Sequence, residues 1–144
     1  MGMHLRRADA DDLAALLVIE SVSYPEPWDE ATFRSFLANP SAVCLVLVDE
    51  PGIIGYALGL TSLGMSQLLS IAVFPARRGS GLATQLLDAL VAECRARGAS
   101  YMRLEVRSAN RSARRLYDAY GFSMIGLRPR YYGDDDALIM SLNL

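Results

Sequence analysis

A strand, a glycine-rich turn and a helix start follow one another in SIAVFPARRGSGLATQLL, residues 70–87. Pro75 ends the apolar strand because proline has no backbone N–H to donate to a sheet. Gly79 and Gly81 allow the backbone to approach a ligand closely, and Ser80 is a typical N-cap for the helix that follows. Since the first turn of a helix presents free N–H groups and the positive end of the helix dipole, this stretch predicts a site for a phosphorylated ligand.

Two common phosphate-binding motifs do not fit this turn. A P-loop needs a lysine after its glycines, and all 14 basic residues of the chain are arginines. A dinucleotide-binding fingerprint needs a third glycine, where this chain has Thr84. The turn alone therefore leaves two interpretations open: a phosphate site of another kind, or a simple strand–helix connection with a serine cap.

The composition indicates a single globular domain and argues against several functions. At 144 residues the chain can bury a core without disulfides or metals, so we expect one domain over residues 1–144. The net charge of −2 disfavours nucleic-acid binding. Cys44 and Cys94 lie in apolar surroundings without metal-ligand spacing, which predicts buried thiols in a reducing compartment. No apolar run approaches membrane-spanning length, so we expect a cytoplasmic protein without a membrane partner; the oligomeric state stays open.

Hydrophobic spacing predicts the elements that must position the glycine turn. The predicted strands are residues 3–8, 42–48, 53–60, 67–74, 101–107, 122–128 and 137–142. The predicted helices are capped by Asp9 or Asp11, by Asp29, by Ser80, and by Ser108 or Asn110, and the last two end at Gly98 and Gly121. The first helix should bury Leu13, Leu16, Leu17 and Glu20, and Asp134–Asp136 should form a solvated turn. This order predicts an α/β protein with a mixed sheet and helices on both faces.

The predicted topology places a carboxylate beside the glycine turn. Strands 67–74 and 101–107 should run parallel, joined by a right-handed helical crossover. Ligands of open α/β sheets bind beyond the C-terminal ends of such strands, which is where Glu105 lies. The residues alone nevertheless favour a simpler interpretation, in which Glu105 forms a surface ion pair with Arg103 or Arg107.

Four segments distributed over nearly the whole chain resemble the GNAT acetyltransferases. Residues 78–83, RGSGLA, resemble the R/Q-x-x-G-x-G/A signature with which that family binds the acetyl-CoA pyrophosphate through backbone amides. Residues 104–122, LEVRSANRSARRLYDAYGF, are similar to a block of the RimI-like and archaeal Ard-like N-terminal acetyltransferases. Residues 130–140, RYYGDDDALIM, and residues 24–28, YPEPW, resemble the closing segment and the substrate-side loop of those enzymes. The chain is therefore identified as a member of the GNAT superfamily, similar to its RimI-like branch.

This resemblance implies a GNAT-type sheet, mostly antiparallel with a central parallel strand pair, and acetyl-CoA as co-substrate without a metal. It also implies that Glu105 is the general base and that Tyr117 protonates the departing CoA thiolate. Tyr117 could equally pack against Phe122 at the end of its helix. Asn110 could contact CoA, cap its helix, or do both.

The resemblance further implies which residues bind the two substrates. The strand edge should hold the pantetheine arm, with the Val73 amide near the thioester oxygen. The expected CoA-binding residues are Ile71, Ala72, Val73, Arg78, Gly79, Ser80, Gly81, Leu82, Ala83, Thr84 and Asn110. Trp28, Tyr131 and Tyr132 should line the peptide entrance, although exposed aromatic rings could also cover the edge of the core.

The acceptor is expected to be the N-terminal α-amine of a protein, such as a small-subunit ribosomal protein. An α-amine has a pKa of about 8 and a lysine side chain one of about 10.4, so far more of the former is unprotonated at neutral pH. A single carboxylate acting directly or through water then suffices as base. A lysine or small-amine acetyltransferase and a non-catalytic acyl-CoA-binding module are the alternatives.

Overall fold

The structure, a computed structural model, describes residues 2–144 of the chain. Its strands are β1 (Met3–Arg7), β2 (Ala42–Asp49), β3 (Gly52–Ser62), β4 (Met65–Val73), β5 (Tyr101–Arg107), β6 (Ser123–Arg128) and β7 (Ala137–Asn143). Its α-helices are α1 (Leu13–Ser23), α2 (Glu30–Ala38), α3 (Leu82–Ala96) and α4 (Arg111–Tyr120). Short 3-10 turns at Ala10–Asp12 and Pro75–Arg77 precede α1 and α3.

The strands form one sheet in the order β1-β2-β3-β4-β5-β7-β6. Neighbouring strands are antiparallel except β4 and β5, which are parallel and lie at the centre. Because α3 connects the two parallel strands, the predicted strand–helix–strand unit is confirmed. The predicted α/β class, with a mixed and mostly antiparallel sheet, is confirmed as well.

Helices cover both faces of the sheet, as the sequence predicts. Helix α3 buries Leu86, Leu87 and Leu90 completely in the core of one face. Helices α1 and α2 bury residues such as Leu16 and Phe33 completely in the core of the other face. Each such side chain contributes about 1.5–3 kcal/mol through its removal from water, so the two cores hold the sheet between them.

The start of α1 differs in detail from the prediction. Asp9 accepts a hydrogen bond from the Asp11 N–H at 2.9 Å and caps the 3-10 turn, so that α1 itself begins only at Leu13. Within α1, Ile19 is buried, whereas Leu17, expected in the buried stripe, is only half-buried. Leu13, Leu16 and Glu20 are buried as predicted, so Ile19 takes the place of Leu17 in the buried face.

The boundaries predicted for α2 and α4 and the state of the cysteines are confirmed. The Asp29 carboxylate accepts from the Thr32 N–H at 2.9 Å and caps α2, and Gly121 ends α4 with a φ of +115°. Cys44 and Cys94 are buried free thiols. Burial raises the pKa of Cys44 to about 12, which keeps that thiol unreactive.

The central strand pair is short, and this creates the space for a site. Strands β4 and β5 pair only at Met65 with Tyr101, Ser66 with Met102, and Gln67 with Arg103. Beyond these three pairs the two strands separate towards their C-terminal ends. A bulge accompanies the separation, because Leu58 pairs with Ser70 and Gly59 with Leu68, which leaves Leu69 without a partner on β3.

Helix α3 lies close to β3 because two positions of that strand are glycines. A Cβ atom on Gly55 would lie 3.0 Å from the Ala72 carbonyl oxygen and 3.0 Å from Leu86 Cδ1. A Cβ atom on Gly59 would lie 3.2 Å from Leu90 Cδ1. All three distances are shorter than ordinary van der Waals contacts, so glycine at these positions sets the distance between helix and sheet.

We expect Gly55→Ala to lower the free energy of unfolding by about 1–3 kcal/mol, because the new methyl group meets the β4 backbone and cannot be accommodated by a rotamer change. Urea denaturation followed by circular dichroism measures the loss. Gly52→Ala is the matched control, since a Cβ atom there meets no described atom within 4 Å. Equal stabilities of the two variants would show that the contact at Gly55 is not limiting.

Candidate active site

Two clefts meet where β4 and β5 separate. The first, of about 360 Å³, lies between the end of β4 and the N-termini of α3 and α4. The second, of about 670 Å³, lies between β4, β5 and the loop of residues 24–28. Both clefts are lined by Ser23, Tyr24, Asn110, Ala113 and Tyr117. Ligands in the two clefts would therefore meet at this shared wall.

Ten of the eleven residues expected to bind CoA line the first cleft; Ser80 is the exception. The predicted serine cap is wrong, because the Ser80 hydroxyl donates to the Arg77 carbonyl at 3.0 Å and the N-cap of α3 is Gly81. Gly79 and Gly81 have φ angles of +85° and +78°, a left-handed conformation that other residues rarely adopt. The left-handed Gly81 separates the serine from the helix.

The absence of a side-chain cap on α3 within the described chain has a chemical consequence. No side chain accepts from the N–H groups of its first turn, and those groups have no partner inside the helix. They line the first cleft at Leu82, Ala83 and Thr84. With the positive end of the helix dipole, they form a site suited to an anion such as a pyrophosphate.

Arg78 holds the turn against β4 with its side chain. Its Nε donates to the Val73 carbonyl at 2.9 Å, and its Nη2 donates to the Ser23 hydroxyl at 3.2 Å. The guanidinium thus connects the turn, the end of β4 and the end of α1. Its side chain is therefore engaged by protein acceptors, and the backbone amides of the turn are the groups left to face the cleft.

The edge of β4 that faces the cleft is unpaired by any strand. The Phe74 N–H donates to the Ile54 carbonyl at 2.8 Å, so strand alternation directs the peptide groups of Ile71 and Val73 away from β3. The two carbonyls on this open edge accept from the Tyr24 hydroxyl at 2.5 Å and from Arg78 Nε at 2.9 Å. The amide N–H groups of the same two residues remain directed to the gap.

Glu105 lies on the wall of the second cleft, with a side chain that is 25% exposed. Its carboxylate is 3.4 Å from Arg128 Nη2, so the ion pair expected with Arg103 or Arg107 is wrong. Arg103 lies over the Tyr101 ring instead, at 5.1 Å. The cation comes from β6 because β5, β7 and β6 are adjacent, and sequence spacing gives no information about that adjacency.

The aromatic residues expected at the peptide entrance occupy different positions. Trp28 and Tyr132 line the second cleft, and Tyr131 does not. The Tyr131 ring packs edge-on against Tyr132, with centroids 5.1 Å apart. The Arg107 guanidinium lies 4.1 Å from the Tyr132 ring centre and 3.9 Å from a Glu26 oxygen, and thereby joins the two sides of the entrance.

Tyr117 is buried at the wall that the two clefts share. Its ring packs edge-on against Phe122 at 5.7 Å, and the Phe122 N–H donates to the Tyr117 carbonyl at 3.0 Å. The predicted packing at the helix end is therefore confirmed. Burial raises the pKa of the Tyr117 hydroxyl above its usual value, so the phenol keeps its proton at neutral pH.

Asn110 caps α4, as one of its two predicted roles requires. Its Oδ1 accepts from the Ala113 N–H at 3.2 Å. The residue also lines both clefts, so the contact with CoA stays a prediction for the same side chain.

The acidic turn near the C-terminus is more than the solvated turn expected for Asp134–Asp136. Asp135 Oδ2 accepts from the Ala109 N–H at 3.1 Å, and Asp136 Oδ1 accepts from the Arg130 N–H at 2.8 Å. The first bond ties the β6–β7 connection to the segment before α4, and the second lies within that connection. The sequence could not predict the bond between Asp135 and Ala109, because these residues lie 26 positions apart and the fold brings them together.

The lining of the two clefts includes residues that the sequence did not predict, among them Glu20, Ser23, Tyr24 and Ser70. Tyr24 belongs to the YPEPW motif, and that motif is the one feature of the sequence that could have pointed to any of these four residues. Glu20 was assigned only to the buried stripe of α1. The chain between Gly2 and Leu144 contains no group of three or more His, Cys, Asp or Glu residues able to hold a metal. None of the described helices is long and apolar enough to cross a membrane.

The sequence profile of the acetyltransferase (GNAT) family matches residues 13–122. A ribosomal protein bS18-alanine N-acetyltransferase of Haemophilus ducreyi is 37% identical over 140 residues, covering 92% of this chain and 94% of the relative. The crystal structure of the ribosomal-protein-S18-alanine N-acetyltransferase from Escherichia coli superimposes with a TM-score of 0.91 at 31% identity, covering 99% of this chain and 94% of that one. The structure of Ard1 from Thermoplasma volcanium gives a TM-score of 0.92 at 26% identity, with 100% and 99% coverage.

These similarities, which extend over nearly the full length, show that the chain belongs to the acetyltransferase (GNAT) family. It is an acetyl-CoA-dependent N-acetyltransferase, and it is similar to the RimI-like enzymes. The family that the sequence motifs indicate is thus confirmed.

Proposed function

We propose that this enzyme transfers the acetyl group from acetyl-CoA to the N-terminal α-amine of a protein. The observation that carries the proposal is the meeting of two clefts at Tyr117 and Asn110, one with free backbone amides and the other with a carboxylate on its wall. The second cleft is wide enough at about 670 Å³ to take an extended peptide end. The N-acetyltransferases of similar sequence are named for an alanine of ribosomal protein bS18.

We assign a ribosomal protein of the bS18 type as the acceptor on the strength of those relatives. Such an acceptor places the reaction in the cytoplasm. The buried, unpaired thiols of Cys44 and Cys94 agree with a reducing compartment.

Acetyl-CoA would occupy the first cleft with its pyrophosphate at the start of α3. The pantetheine arm would lie along the open edge of β4, where the N–H groups of Ile71 and Val73 face the gap. The Val73 amide would then donate to the thioester oxygen and stabilise the negative charge that develops during attack. Gly79 and Gly81 allow the turn to adopt the left-handed conformation that leaves the helix amides accessible.

Glu105 would remove the proton that prevents the α-ammonium group from attacking. The amine then attacks the thioester carbonyl, the nitrogen of the tetrahedral intermediate loses its second proton to solvent, and the intermediate collapses to the amide with the CoA thiolate as leaving group. Tyr117, which stays protonated at neutral pH because of its burial, would donate its proton to that thiolate. Arg128 holds one oxygen of Glu105 and would leave the other available to the amine or to an intervening water.

The substrate class is tested by a panel of peptides assayed by mass spectrometry. We expect acetylation of peptides with a free N-terminal alanine, and no product from the same peptides with a blocked N-terminus and an internal lysine. The expectation follows from the lower pKa of an α-amine, about 8 against about 10.4 for lysine. Reaction of lysines or small amines alone would contradict the N-terminal assignment, and CoA binding without any product would indicate a non-catalytic module.

We expect Glu105→Gln to lower kcat/KM at neutral pH by about 10²–10⁴-fold, the usual contribution of a positioned base. Activity should recover in part as the pH rises, because the acceptor amine then loses its proton to solvent. Steady-state rates between pH 6 and 10 measure this profile. Glu93→Gln on α3 is the control, because the Glu93 carboxylate lies 3.9 Å from the Arg97 guanidinium and outside both clefts. Full turnover of Glu105→Gln at neutral pH would remove this residue as base.

We expect Tyr117→Phe to lower kcat strongly with little loss of stability, because the ring contact with Phe122 persists and only the proton donor is lost. Release of the CoA thiol, followed with a thiol reagent, measures the rate. Tyr120→Phe removes a hydroxyl from the same helix, one that donates to Asp88 at 2.6 Å outside the clefts. The two variants should therefore separate a catalytic hydroxyl from a structural one, and an unchanged rate for Tyr117→Phe would leave only the packing role.

A further inference from the structure

A second carboxyl group lies at the second cleft and is not used by the proposed chemistry. Glu20, in the last turn of α1, is only 3% exposed. Its Oε1 accepts from the hydroxyl of Tyr56, a residue that is itself completely buried on β3, and from the Ser70 hydroxyl at 3.3 Å. Its Oε2 accepts from the backbone N–H of Trp28 at 3.1 Å. The Tyr56 hydroxyl and the Trp28 N–H donate to different oxygens, and the Ser70 hydroxyl also lies 2.7 Å from the Tyr56 oxygen. Both oxygens of Glu20 thus act as acceptors, as those of a carboxylate do.

Glu20 has no cation within 4 Å in the described part of the chain, unlike the other buried acidic residue of this region. Asp12, at the opposite end of α1, is 5% exposed and makes two hydrogen bonds of 2.8 Å to the Arg6 guanidinium. A buried carboxylate without a counter-ion is unfavourable, and an apolar side chain of similar size would usually fit at lower cost. The position of Glu20 therefore calls for a reason beyond stability.

The reason lies in the segments that Glu20 connects. Ser70 directly follows the bulge at Leu69, where β4 turns away from β5. Trp28 belongs to the loop that forms the other wall of the second cleft, and its ring packs on Phe33 and Phe36 of α2. One carboxyl group thus fixes the peptide-side loop relative to the strand that would carry the thioester.

We propose that Glu20 is a positioning residue for the acceptor, which sets the width of the second cleft by holding the loop at Trp28 against the bulge of β4. This inference rests on the proposed function, because it assumes that a peptide end occupies that cleft. Glu20 does not take the acceptor proton: both of its oxygens are already engaged by protein donors. Glu105 remains the group with an accessible oxygen.

Substitution of Glu20 should therefore weaken binding of the acceptor peptide and leave binding of acetyl-CoA nearly unchanged. In Glu20→Gln the amide oxygen can still accept from Tyr56 and Ser70, but the amide nitrogen then faces the Trp28 N–H, donor against donor. We expect KM for an N-terminal peptide to rise about tenfold, equivalent to about 1.4 kcal/mol. KM for acetyl-CoA should change less than about twofold, and kcat at saturating peptide should keep the wild-type pH profile.

The matched control is Asp12→Asn. It also removes one charge from a buried, hydrogen-bonded carboxyl group of the α1 region, but Asp12 lies outside both clefts. Both variants should lose stability in urea. Only Glu20→Gln should raise KM for the peptide, which separates positioning from a merely structural role.

A readout independent of activity comes from the composition, because Trp28 is the single tryptophan of the chain. Glu20→Gln should shift its fluorescence to longer wavelength and increase quenching by acrylamide, since the loop is released from the carboxyl group. Asp12→Asn should leave the spectrum unchanged. Glu20→Asp, which keeps the charge on a side chain one methylene shorter, should show an intermediate shift and an intermediate KM, and it serves if Glu20→Gln does not fold.

Unchanged peptide KM and unchanged tryptophan quenching in the folded variants would overturn the proposal. A loss of kcat with a displaced pH profile would overturn it too, because Glu20 would then act on a proton. If the wild-type enzyme acetylates no N-terminal peptide, the proposed function fails by itself. The fluorescence result still decides whether Glu20 holds the loop.

Discussion

The site depends on one structural constraint: the central parallel strands stay paired for only three residues. A gap in the middle of a sheet leaves peptide groups without partners, and buried unpaired groups are costly. Here the carbonyls of the open edge are satisfied by two side chains, the Tyr24 hydroxyl and the Arg78 guanidinium. Because only the carbonyls are satisfied in this way, the edge presents amide donors to the gap. The interruption of the sheet thus creates an edge whose free hydrogen-bonding groups are donors.

The two sides of this gap have opposite electrostatic character. The first cleft is surrounded by the start of α3, the amides of β4 and two arginines, and it suits an anionic ligand. The second cleft contains the carboxyl groups of Glu20, Glu26 and Glu105, with Arg107 as the cation on its lining. A cationic amine and an anionic cofactor are thus favoured on different sides of the shared wall at Tyr117. The separation of charge orients a two-substrate reaction before any chemistry takes place.

Local rules predicted the elements of this protein well and their mutual contacts poorly. The cap at Asn110 and the helix end at Gly121 were predictable because each depends on backbone groups within a few residues. The prediction that Ser80 caps α3 was wrong, because the turn contains two left-handed glycines and the N-cap is Gly81, one residue further on. The predicted ion-pair partners of Glu105 were wrong for a different reason. Arg128 lies on β6, two strands away from β5, and reaches Glu105 across β7. Only pairing of the sheet makes these two residues neighbours.

The sequence by itself determined the α/β class, the parallel pair at the centre, the family, and the glycine turn in front of α3. Periodicity, turn residues and short motifs are local properties, so they are readable without the fold. The tertiary structure alone decided that the strands separate after three pairs and that Glu20 meets Tyr56 and Ser70, which lie 36 and 50 residues further along the chain. Such contacts are fixed by how α1 packs on the sheet. No spacing in the sequence encodes them.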